Sequence, residues 1–383
     1  MRDGWETKPL ADVCLTIQDG AHESPKVRFD APGEGRFPYI TSKNIRTNYL
    51  DLENVSYVDR TFQDRIYPRC QPSVGDVLLT KDGANTGNVT LNTLDEPFSL
   101  LSSVCLIKTD PAALSPSFLS YYIQSPDGLI SITGQMSGAA IRRIILRDIK
   151  RATIPLPPLA EQQRIVSILD EAFRAIATAK ANAGRNLQNA RALFESHLQS
   201  VFAQHGGGWV EQTVGECFRV RSGDFLPTKA MVESGDFDVF GGNGIAGRHD
   251  RKNLTGENIV IGRVGAKCGN VRHVHGDLWL TDNAFYISEY SHAFDLGFLA
   301  RLLELTNLRR TANQAAQPVI SYKTIKDVIL RFPVSAAEQS KIAWELDGLE
   351  TEVRRLESIY LRKLAALEEL KKSLLHVAFT GQL

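Results

Sequence analysis

PLPPLAEQQRIVSILD (Pro155–Asp170) and RFPVSAAEQSKIAWELD (Arg331–Asp347) are two versions of one sequence. Each has a proline near its entry, then a Glu-Gln pair, then apolar residues at helical spacing, which together predict the start of a helix. A shift of 177 positions aligns the two copies from Glu161 through Phe202 without a gap. Upstream the shift is 176, so one residue is gained or lost in the linker ahead of the helix. The chain therefore contains an internal repeat that ends each half.

Both copies carry the same apolar stripe, with steps of 4, 3, 4, 3, 4, 4 and 3 residues. This spacing is that of a coiled-coil seam with one extra residue at the same place in each copy. We predict two long helices of 42 residues, each about 63 Å in length. The stripe of the first helix is Ile165, Leu169, Ala172, Ile176, Ala179, Ala183, Leu187 and Ala190, and that of the second is Ile342, Leu346, Leu349, Val353, Leu356, Tyr360, Leu364 and Leu367.

A helix with one apolar stripe must bury it against another element. The simplest partner for the stripe of each helix is the stripe of the other helix. We therefore predict an antiparallel pair with a globular segment at each end. The alternative is that each stripe packs on its neighbouring globular segment.

The two globular segments repeat as well. Each opens with Gly-Trp, and GANTGNV (Gly83–Val89) in the first matches GAKCGNV (Gly265–Val271) in the second. The preceding runs GDVLLTKD and GENIVIGRV predict strands, and the glycines suit tight turns between strands. FLSYYIQS and FLARLLEL, which begin at Phe118 and Phe298, predict short helices. The fold class is therefore α+β: two similar globules, and two long antiparallel helices that form a coiled-coil spacer with pseudo-two-fold symmetry.

Composition is that of an ordinary soluble protein, with 43% hydrophobic and 23% charged residues and a formal net charge of zero over 383 residues. No apolar run approaches the roughly 18 residues that a membrane span needs, and the N-terminus does not resemble a signal peptide. The odd number of widely spaced cysteines predicts free thiols in a reducing cytoplasm. These are Cys14, Cys70, Cys105, Cys217 and Cys268.

Motifs of catalysis and cofactor binding are incomplete. GNGIAG (Gly242–Gly247) fits a dinucleotide-binding pattern, but the following RHDRKN is a poor helix start, so a glycine-rich turn is expected. FGGNG (Phe240–Gly244) resembles a motif of S-adenosylmethionine-dependent methyltransferases, which also need an acidic or amide residue before a Pro-Pro pair and an aromatic residue after it. Here Pro157-Pro158 lies between two leucines, so the prolines better suit a helix entrance. His273 and His275 lie two apart with Cys268 close by, but no fourth ligand is evident, and the two histidines are expected to be alternating strand residues. We therefore expect neither a catalytic centre nor a metal site.

Basic residues cluster in both globules, which predicts phosphate contacts. IRRIILRDIKR (Ile141–Arg151) corresponds to SYKTIKDVILR (Ser321–Arg331), and TSKNIR (Thr41–Arg46) and GRHDRK (Gly247–Lys252) are further clusters. A solvated surface is the alternative for each cluster by itself.

At this point the pattern resembles a known family. PLPPLAEQQRIVSILD at the head of a long helix resembles the conserved region of the specificity subunit of type I restriction–modification systems, and the closing LLHVAFTGQL resembles the C-terminal conserved region of that family. The globules, with their Gly-Trp openings and paired GANTGNV and GAKCGNV motifs, are similar to its target recognition domains. The likeness covers essentially the whole chain, and PVSAAEQ in place of PPLAEQ is a mild departure.

The resemblance implies a division of labour. The chain would be a non-catalytic, cytoplasmic subunit that reads double-stranded DNA, each globule recognising one half of a bipartite asymmetric target. The helices would set the spacer between the halves and dock two modification subunits, and restriction subunits would join them. The chain itself would bind no cofactor: S-adenosylmethionine, ATP and Mg²⁺ would be on the partner subunits. Since the partners would supply part of the phosphate-binding surface, the neutral chain alone is expected to bind DNA weakly.

These expectations give boundaries and candidate residues. The first target recognition domain would be 1–155, the central conserved helix 156–204, the second domain 205–332 and the C-terminal conserved helix 333–383. Base edges are read mainly by Arg, Lys, Asn and Gln. The candidate DNA-binding residues are Lys43, Asn44, Arg46, Lys81, Asn85, Thr86, Arg142 and Arg143 in the first domain, and Arg221, Asn243, Arg248, Arg263, Lys267, Gln317 and Lys323 in the second.

Two other functions stay open at this stage. One is a methyltransferase or a fused restriction–modification enzyme, which would need complete cofactor and catalytic motifs. The other is a coiled-coil scaffold without a role on DNA, which would need no matched basic loops.

Overall fold

The strands are short and fall into two series of similar order. The computed structural model describes residues 4–133, 143–203, 207–313 and 317–383. Within these ranges the strands are β1 (Glu6–Pro9), β2 (Cys14–Asp19), β3 (Arg36–Ile40), β4 (Ile45–Arg46), β5 (Tyr49–Leu50), β6 (Ser56–Asp59), β7 (Val77–Thr80), β8 (Val89–Leu91), β9 (Ser99–Leu100), β10 (Val104–Thr109), β11 (Thr153–Leu156), β12 (Trp209–Thr213), β13 (Phe218–Ser222), β14 (Phe237–Gly241), β15 (Gly244–His249), β16 (Asn258–Gly262), β17 (Val271–Val274), β18 (Leu278–Leu280), β19 (Ala284–Tyr290) and β20 (Ile329–Pro333).

The helices are two very long ones and several short ones. Within the described ranges they are accompanied by three short 3₁₀ segments, Tyr67–Arg69, Thr228–Ala230 and Leu308–Thr311. The α-helices are α1 (Leu10–Val13), α2 (Arg60–Ile66), α3 (Pro116–Gln124), α4 (Pro126–Thr133), α5 (Leu146–Arg151), α6 (Leu159–Ala203), α7 (Val214–Cys217), α8 (Leu296–Thr306), α9 (Tyr322–Ile325) and α10 (Ala336–Phe379).

The contacts divide the chain into two units, each with one globule and part of both long helices. The first comprises Met1–Gly184 and Leu361–Leu383, and the second comprises Arg185–Tyr360. The division cuts each long helix near its middle, although α6 and α10 are each continuous in the backbone.

In the first unit a four-stranded sheet with strand order β2-β10-β7-β8 separates two cores. Val77 and Leu79 of β7 belong to the core that α3 and the long helices cover, whereas Leu78 belongs to the core shared with β3 and β9. Successive strand side chains point to opposite faces, so an uninterrupted apolar run suits a strand that is buried on both faces. A three-stranded sheet, β6-β3-β9, and the ribbon β1-β11 complete this globule, together with the small ladder β4-β5.

The second unit repeats the main sheets of this arrangement, but the small ladder β4-β5 has no counterpart among its described strands. Its four-stranded sheet is β13-β19-β16-β17, its three-stranded sheet is β15-β14-β18 and its ribbon is β12-β20. The parallel pair β3–β9 of the first unit corresponds to the parallel pair β14–β18. Ile259 and Ile261 of β16 face one core and Val260 faces the other. The predicted strands and the α+β repeat are confirmed.

The helices α3 and α8 begin in the same way in the two globules. Ser115 and Asp295 are their N-caps, with side chains that accept hydrogen bonds from the backbone N–H of Phe118 and Phe298 at 3.5 and 2.9 Å. These caps satisfy amides that a helix start would otherwise leave unpaired. The short helices predicted from FLSYYIQS and FLARLLEL are therefore confirmed.

The Glu-Gln pair of the opening motif joins each long helix to its globule. Gln162 and Gln339 are both fully buried. The Gln162 amide accepts from the Ser115 N–H at 2.8 Å and donates to the Pro157 carbonyl at 2.8 Å. The Gln339 amide accepts from the Asp295 N–H at 3.0 Å and donates to the Pro333 carbonyl at 2.8 Å. Since the same bonds form in both copies, the repeated sequence encodes a repeated joint.

The extra residue of the second copy lies where the sequence predicts it, in the linker before the helix. Pro333 ends β20 and α10 begins at Ala336, whereas α6 begins two residues after Pro157. Val334 is 58% exposed. The linker therefore absorbs the insertion without disturbing the joint.

Within each unit the long helices run antiparallel. In the first unit Arg164 near the start of α6 donates to the Leu383 carbonyl at 2.8 Å, and Lys180 further along pairs with Glu368. In the second unit Arg191 pairs with Glu357 at 2.5 Å, and Phe202 joins the core that contains Ala343. In each unit, later residues of α6 therefore meet earlier residues of α10, which confirms the predicted antiparallel pair.

All sixteen residues of the two apolar stripes are buried or half-buried. Part of each stripe is buried in the core of a globule. Ile165 and Leu169 lie in the core of the first globule, together with Leu375, Ala378 and Phe379 from the last turns of α10. Near the globules the stripes therefore pack on the globule, the alternative raised by the sequence, in cores to which the other helix also contributes.

All five cysteines are free thiols, and four of them are buried. None of the helices in the described ranges is both long and apolar enough to cross a bilayer.

Candidate nucleic-acid interface

Two loops of identical backbone hydrogen bonding occupy equivalent places in the two globules. The first loop is Lys81–Asn88, between β7 and β8, and the second loop is Arg263–Asn270, between β16 and β17. The Gly87 N–H donates to the Thr80 carbonyl at 2.8 Å, and the Gly269 N–H donates to the Gly262 carbonyl at 2.7 Å. A shift of 182 relates every position of one loop to the other.

Glycines make this loop shape possible. Gly83 and Gly87 have φ of +102° and +93°, and their equivalents Gly265 and Gly269 have +97° and +81°. Side chains with a Cβ rarely adopt this left-handed region, so glycine is required at both positions. The GANTGNV and GAKCGNV motifs therefore determine one backbone and leave the side chains between the glycines free to differ.

The side chains do differ at equivalent positions. Asn85 of the first loop corresponds to Lys267 of the second, and Thr86 corresponds to Cys268. Asn85 is half-buried and donates to the Ser42 carbonyl at 3.1 Å, whereas Lys267 is exposed. Thr86 donates to the Gly83 carbonyl at 2.7 Å. One scaffold thus presents an amide on one globule and an ammonium on the other.

Lys81 is not on the surface of the first loop. It is 3% exposed, and its ammonium lies 3.0 Å from a carboxylate oxygen of Asp82 and 3.6 Å from one of Asp19. Arg69 pairs with the other oxygen of Asp19 at 2.6 Å. Burial opposes the ionisation of Asp19, but the Arg69 hydrogen bond and the Lys81 charge outweigh it, and the pKa of Asp19 is lowered. Lys81 therefore holds the base of the loop by ion pairing.

Arg143 extends this ion network to the surface. Its guanidinium Nε lies 3.2 Å from Asp82, and its side chain is 64% exposed. The backbone N–H of Ile144 donates to the Lys81 carbonyl at 2.7 Å, which ties the basic segment to the first loop. Arg142, the other candidate in this segment, lies outside the described residues.

A turn after β3, which contains Lys43, Asn44 and Arg46, lies against the first loop. Asn88 donates from its amide to the Ile45 carbonyl at 3.2 Å, beside the bond from Asn85 to Ser42. Asn44 is 4% exposed, accepts from Thr41 and donates to the Asp51 carbonyl, so its amide shapes the turn. Lys43 is exposed at the tip, and Arg46 pairs with Asp51 at 3.1 Å.

The equivalent turn of the second globule joins β14 to β15. Its Asn243 is exposed and corresponds to Lys43. Asn243, Asn283 and Gln317 line one open depression with Ile245 and Gly265. The predicted residues Asn243 and Gln317 are thus brought together from segments more than seventy positions apart, next to the second loop. The glycine-rich turn expected from GNGIAG is confirmed, since it forms this hairpin.

Other candidates of the second globule are engaged within the protein. Arg263 is half-buried over the ring of Phe285, with its guanidinium carbon 5.5 Å from the ring centroid. Arg248 donates to the carbonyls of Gly235 and Asp236 at 2.6 and 3.0 Å. Arg221 on β13 and Lys323 on α9 are exposed. Arg221 also lies 3.7 Å from a carboxylate oxygen of Glu289, so of these four candidates Lys323 presents its charge to solvent most freely.

Sequence patterns missed several polar residues that border the loops. Gln124 of α3 donates to the Asn48 side chain at 2.7 Å. Gln124 also lines a groove with Thr86 of the first loop and with Lys371 and Lys372 of α10. No local pattern in the sequence links the two lysines to the first loop, because the loop is almost three hundred residues away in the chain.

Two copies of one scaffold, with different polar side chains on equivalent loops, define a protein with two related but unlike binding surfaces. The chain belongs to the family of type I restriction modification DNA specificity domains, whose model matches residues 2–183 and 206–361. The resemblance drawn from the sequence is confirmed.

Named relatives are consistent with this family. The type I restriction enzyme EcoprrI specificity subunit of Escherichia coli is 28% identical over 273 residues, 66% of this chain and 67% of that protein. The MjaVIII specificity subunit of Methanocaldococcus jannaschii is 24% identical over 176 residues, 46% of this chain and 37% of that protein. The chain thus spans about two-thirds of the first and little more than one-third of the second. These names do not favour the methyltransferase or scaffold alternatives.

Solved structures share the fold. A chain from a structural study of assembly and conformational transition in the type I R-M system is similar with a TM-score of 0.77 and 19% identity, covering 100% of this chain and 99% of that one. The HsdS subunit from Thermoanaerobacter tengcongensis is similar with a TM-score of 0.65 and 18% identity, covering 100% and 98%.

Proposed function

We propose that this chain is the DNA-recognition subunit of a type I restriction–modification complex and is not itself a catalyst. Each globule reads one half of a bipartite, asymmetric target, and the long helices set the unread spacer. Family membership supports the role in DNA specificity. The proposal that the two globules read different half-sites rests on the two loops, which have the same backbone but different side chains. A shared scaffold with different contact groups can recognise related but different base sequences.

The residue chemistry supports different base preferences in the two globules. Lys43, Arg143 and Arg46 surround the first loop, and cationic side chains donate to guanine O6 and N7 in the major groove. The depression of the second globule is lined by the amides of Asn243 and Gln317 with the apolar Ile245. Asn and Gln pair with adenine, and apolar groups contact the thymine methyl. We assign A·T recognition to this depression.

The partners follow from the same proposal. Two modification subunits dock on the helix pair and hold S-adenosylmethionine, and restriction subunits hold ATP and Mg²⁺. The isolated chain has zero formal net charge and is expected to bind DNA weakly, because phosphate neutralisation supplies much of the affinity of DNA-binding proteins. Nanomolar sequence-specific binding by the chain alone would contradict this part of the proposal.

An exchange of one globule tests the assignment of one domain to each half-site. Residues 1–155 are replaced with those of a relative, the hybrid is co-expressed with its modification subunits, and methylated adenines are mapped across the host genome. Only one half of the methylated motif should change. A change in both halves, or unchanged methylation when the chain is deleted, would refute the assignment.

Substitution of Asn243 tests the second reader more finely. Asn243→Ala should relax the motif at one position of one half-site, at a cost of about 1–3 kcal/mol of base discrimination. Asn253→Ala is not a neutral control, because Asn253 bonds the Leu280 backbone. Lys229→Ala is the control, since Lys229 is not among the residues that line the depression, and it should leave the motif unchanged.

A further inference from the structure

Three potential metal ligands meet at one end of the hairpin formed by β16 and β17. The Nε2 of His273 lies 2.7 Å from Oε1 of Glu257, and the Nδ1 of His275 lies 4.0 Å from the same oxygen. One ligand atom from each of the three residues lies within 4.8 Å of the other two. The two imidazole rings are 4.4 Å apart between centroids.

Strand register explains why the three residues meet. Asn258 pairs with Val274 and Ile259 with His273, which places Glu257 across from His275. Alternation puts His273 and His275 on one face. The sequence alone paired the histidines but did not find Glu257, which is 16 residues from His273.

The fold does not require these residues, because the first globule builds the same ladder without them. A shift of 182 relates Glu257, His273 and His275 to Gly75, Leu91 and Thr93. In that copy Val77 pairs with Leu91, as Ile259 pairs with His273 in the second. The three potential ligands are therefore an addition to one globule, on a scaffold that forms without them.

We propose that Glu257, His273 and His275 form a binding site for a zinc-like divalent cation. Two imidazoles and one carboxylate are a ligand set that suits Zn²⁺, with water in the fourth tetrahedral position. His275 and Glu257 have side chains 67% and 52% exposed, so they can rotate to draw their atoms around the ion.

The cation would close the open end of the hairpin whose other end is the second loop. Glu257 directly precedes β16 and His275 directly follows β17, with Arg263–Asn270 between the strands. β17 is an edge strand of its sheet, held by hydrogen bonds to β16 alone within that sheet. A metal bridge across the two strands would hold this edge in place, and it would stabilise the folded state by mass action, because the unfolded chain lacks the preformed site.

The test uses the full chain, stripped with chelator, without an affinity tag that contains histidine. Titration with Zn²⁺ followed by calorimetry should give one site per chain, and Zn²⁺ should raise the thermal unfolding temperature while Mg²⁺ should not. Co²⁺ should give the visible absorption of a tetrahedral site. His273→Asn and Glu257→Gln should each weaken Zn²⁺ binding about tenfold or more, in line with the effect of disrupting metal sites.

His376→Asn is the matched control, because His376 pairs with the single carboxylate of Asp127 at 3.3 Å without a second histidine. It should keep the Zn²⁺ affinity of the parent chain. Circular dichroism of the metal-free variants checks that they fold. Equal Zn²⁺ binding by the parent and by folded His273→Asn would overturn the site, and so would the absence of Zn²⁺ binding by the parent, which would leave Glu257 and His273 as an ordinary ion pair.

Discussion

Gln162 and Gln339 are the residues on which the repeated motif depends. Each is fully buried, and each has its amide satisfied by backbone groups at the joint of helix and globule. A buried amide costs free energy unless its hydrogen bonds are made. The glutamine of the Glu-Gln pair at the start of each long helix therefore has a structural role.

Replacing Gln162 with alanine should lower the free energy of unfolding by about 1–3 kcal/mol, because it leaves the Ser115 N–H and the Pro157 carbonyl without their partner. Chemical denaturation of the full chain measures the change. Gln163→Ala, at the exposed neighbouring position, should change stability by no more than about 0.5 kcal/mol. Equal effects of the two substitutions would show that the joint does not depend on the buried amide.

Lys81 and Asp19 form a second buried polar contact, an ion pair at the base of the first loop. Their carboxylate–ammonium contact is flanked by Arg69 and Asp82. Removing one member of a buried ion pair leaves the other charge without compensation. This arrangement makes the base of the first loop sensitive to pH.

Asp19 should stabilise the fold at neutral pH and lose that contribution in acid. Its pKa is lowered in the folded state, so its contribution is fully present above the unfolded value of about 3.9 and disappears as the pH falls through the lower folded value. Asp19→Asn should therefore cost about 3 kcal/mol at pH 7, and less in acid. Denaturation of both proteins from pH 7 to pH 3 measures this. A cost that does not change with pH would exclude the ionised carboxylate as its source.

The long helices show how one element serves two purposes. The first turns of α6 and the last turns of α10 enter the core of the first globule, and the middle parts of the helices carry ion pairs between each other. Exposed ion pairs contribute little, about 0–1 kcal/mol. The stripe, rather than the charges, must therefore hold the elements together.

Two leucines of α6 separate burial from helix propensity. Leu169 is fully buried and Leu193 is 63% exposed. Leu169→Ala should cost about 2–5 kcal/mol through lost packing, whereas Leu193→Ala should be nearly neutral, because alanine is at least as good a helix former. Thermal and chemical unfolding compare the two variants. A large cost for Leu193→Ala would indicate a contact beyond those that bury the stripe.

At the scale of the whole molecule, α6 and α10 have 45 and 44 residues. A helix rises about 1.5 Å per residue, so each is about 66 Å long. On the proposed function, this length determines the number of unread base pairs between the two half-sites. Two helices of nearly equal length are what a spacer needs if both are to begin and end together.

Insertion of seven residues into the middle of both helices should lengthen the spacer and leave both half-sites unchanged. Seven residues keep the coiled-coil register and add about 10 Å, which corresponds to about three base pairs at 3.4 Å each. Mapping of methylated adenines gives the new spacer. An unchanged spacer with normal methylation would contradict the proposed role of the helices, and insertion into one helix alone is the control that should disrupt packing.

The sequence by itself determined what depends on local pattern and on the repeat. The heptad-like stripes predicted both long helices, the apolar runs predicted β7 and β16, and the glycines of the two motifs predicted the loops. These features depend on side chains close together in the chain, where periodicity and backbone preference act directly.

Only the tertiary structure decided which polar side chains are available. Lys43 and Lys81 are alike in the sequence, yet one is exposed at a turn and the other is buried between carboxylates. Gln317 meets Asn243, and Glu257 meets His273, only through strand register and loop packing. Exposure and proximity depend on contacts between distant segments, and no local spacing encodes those contacts.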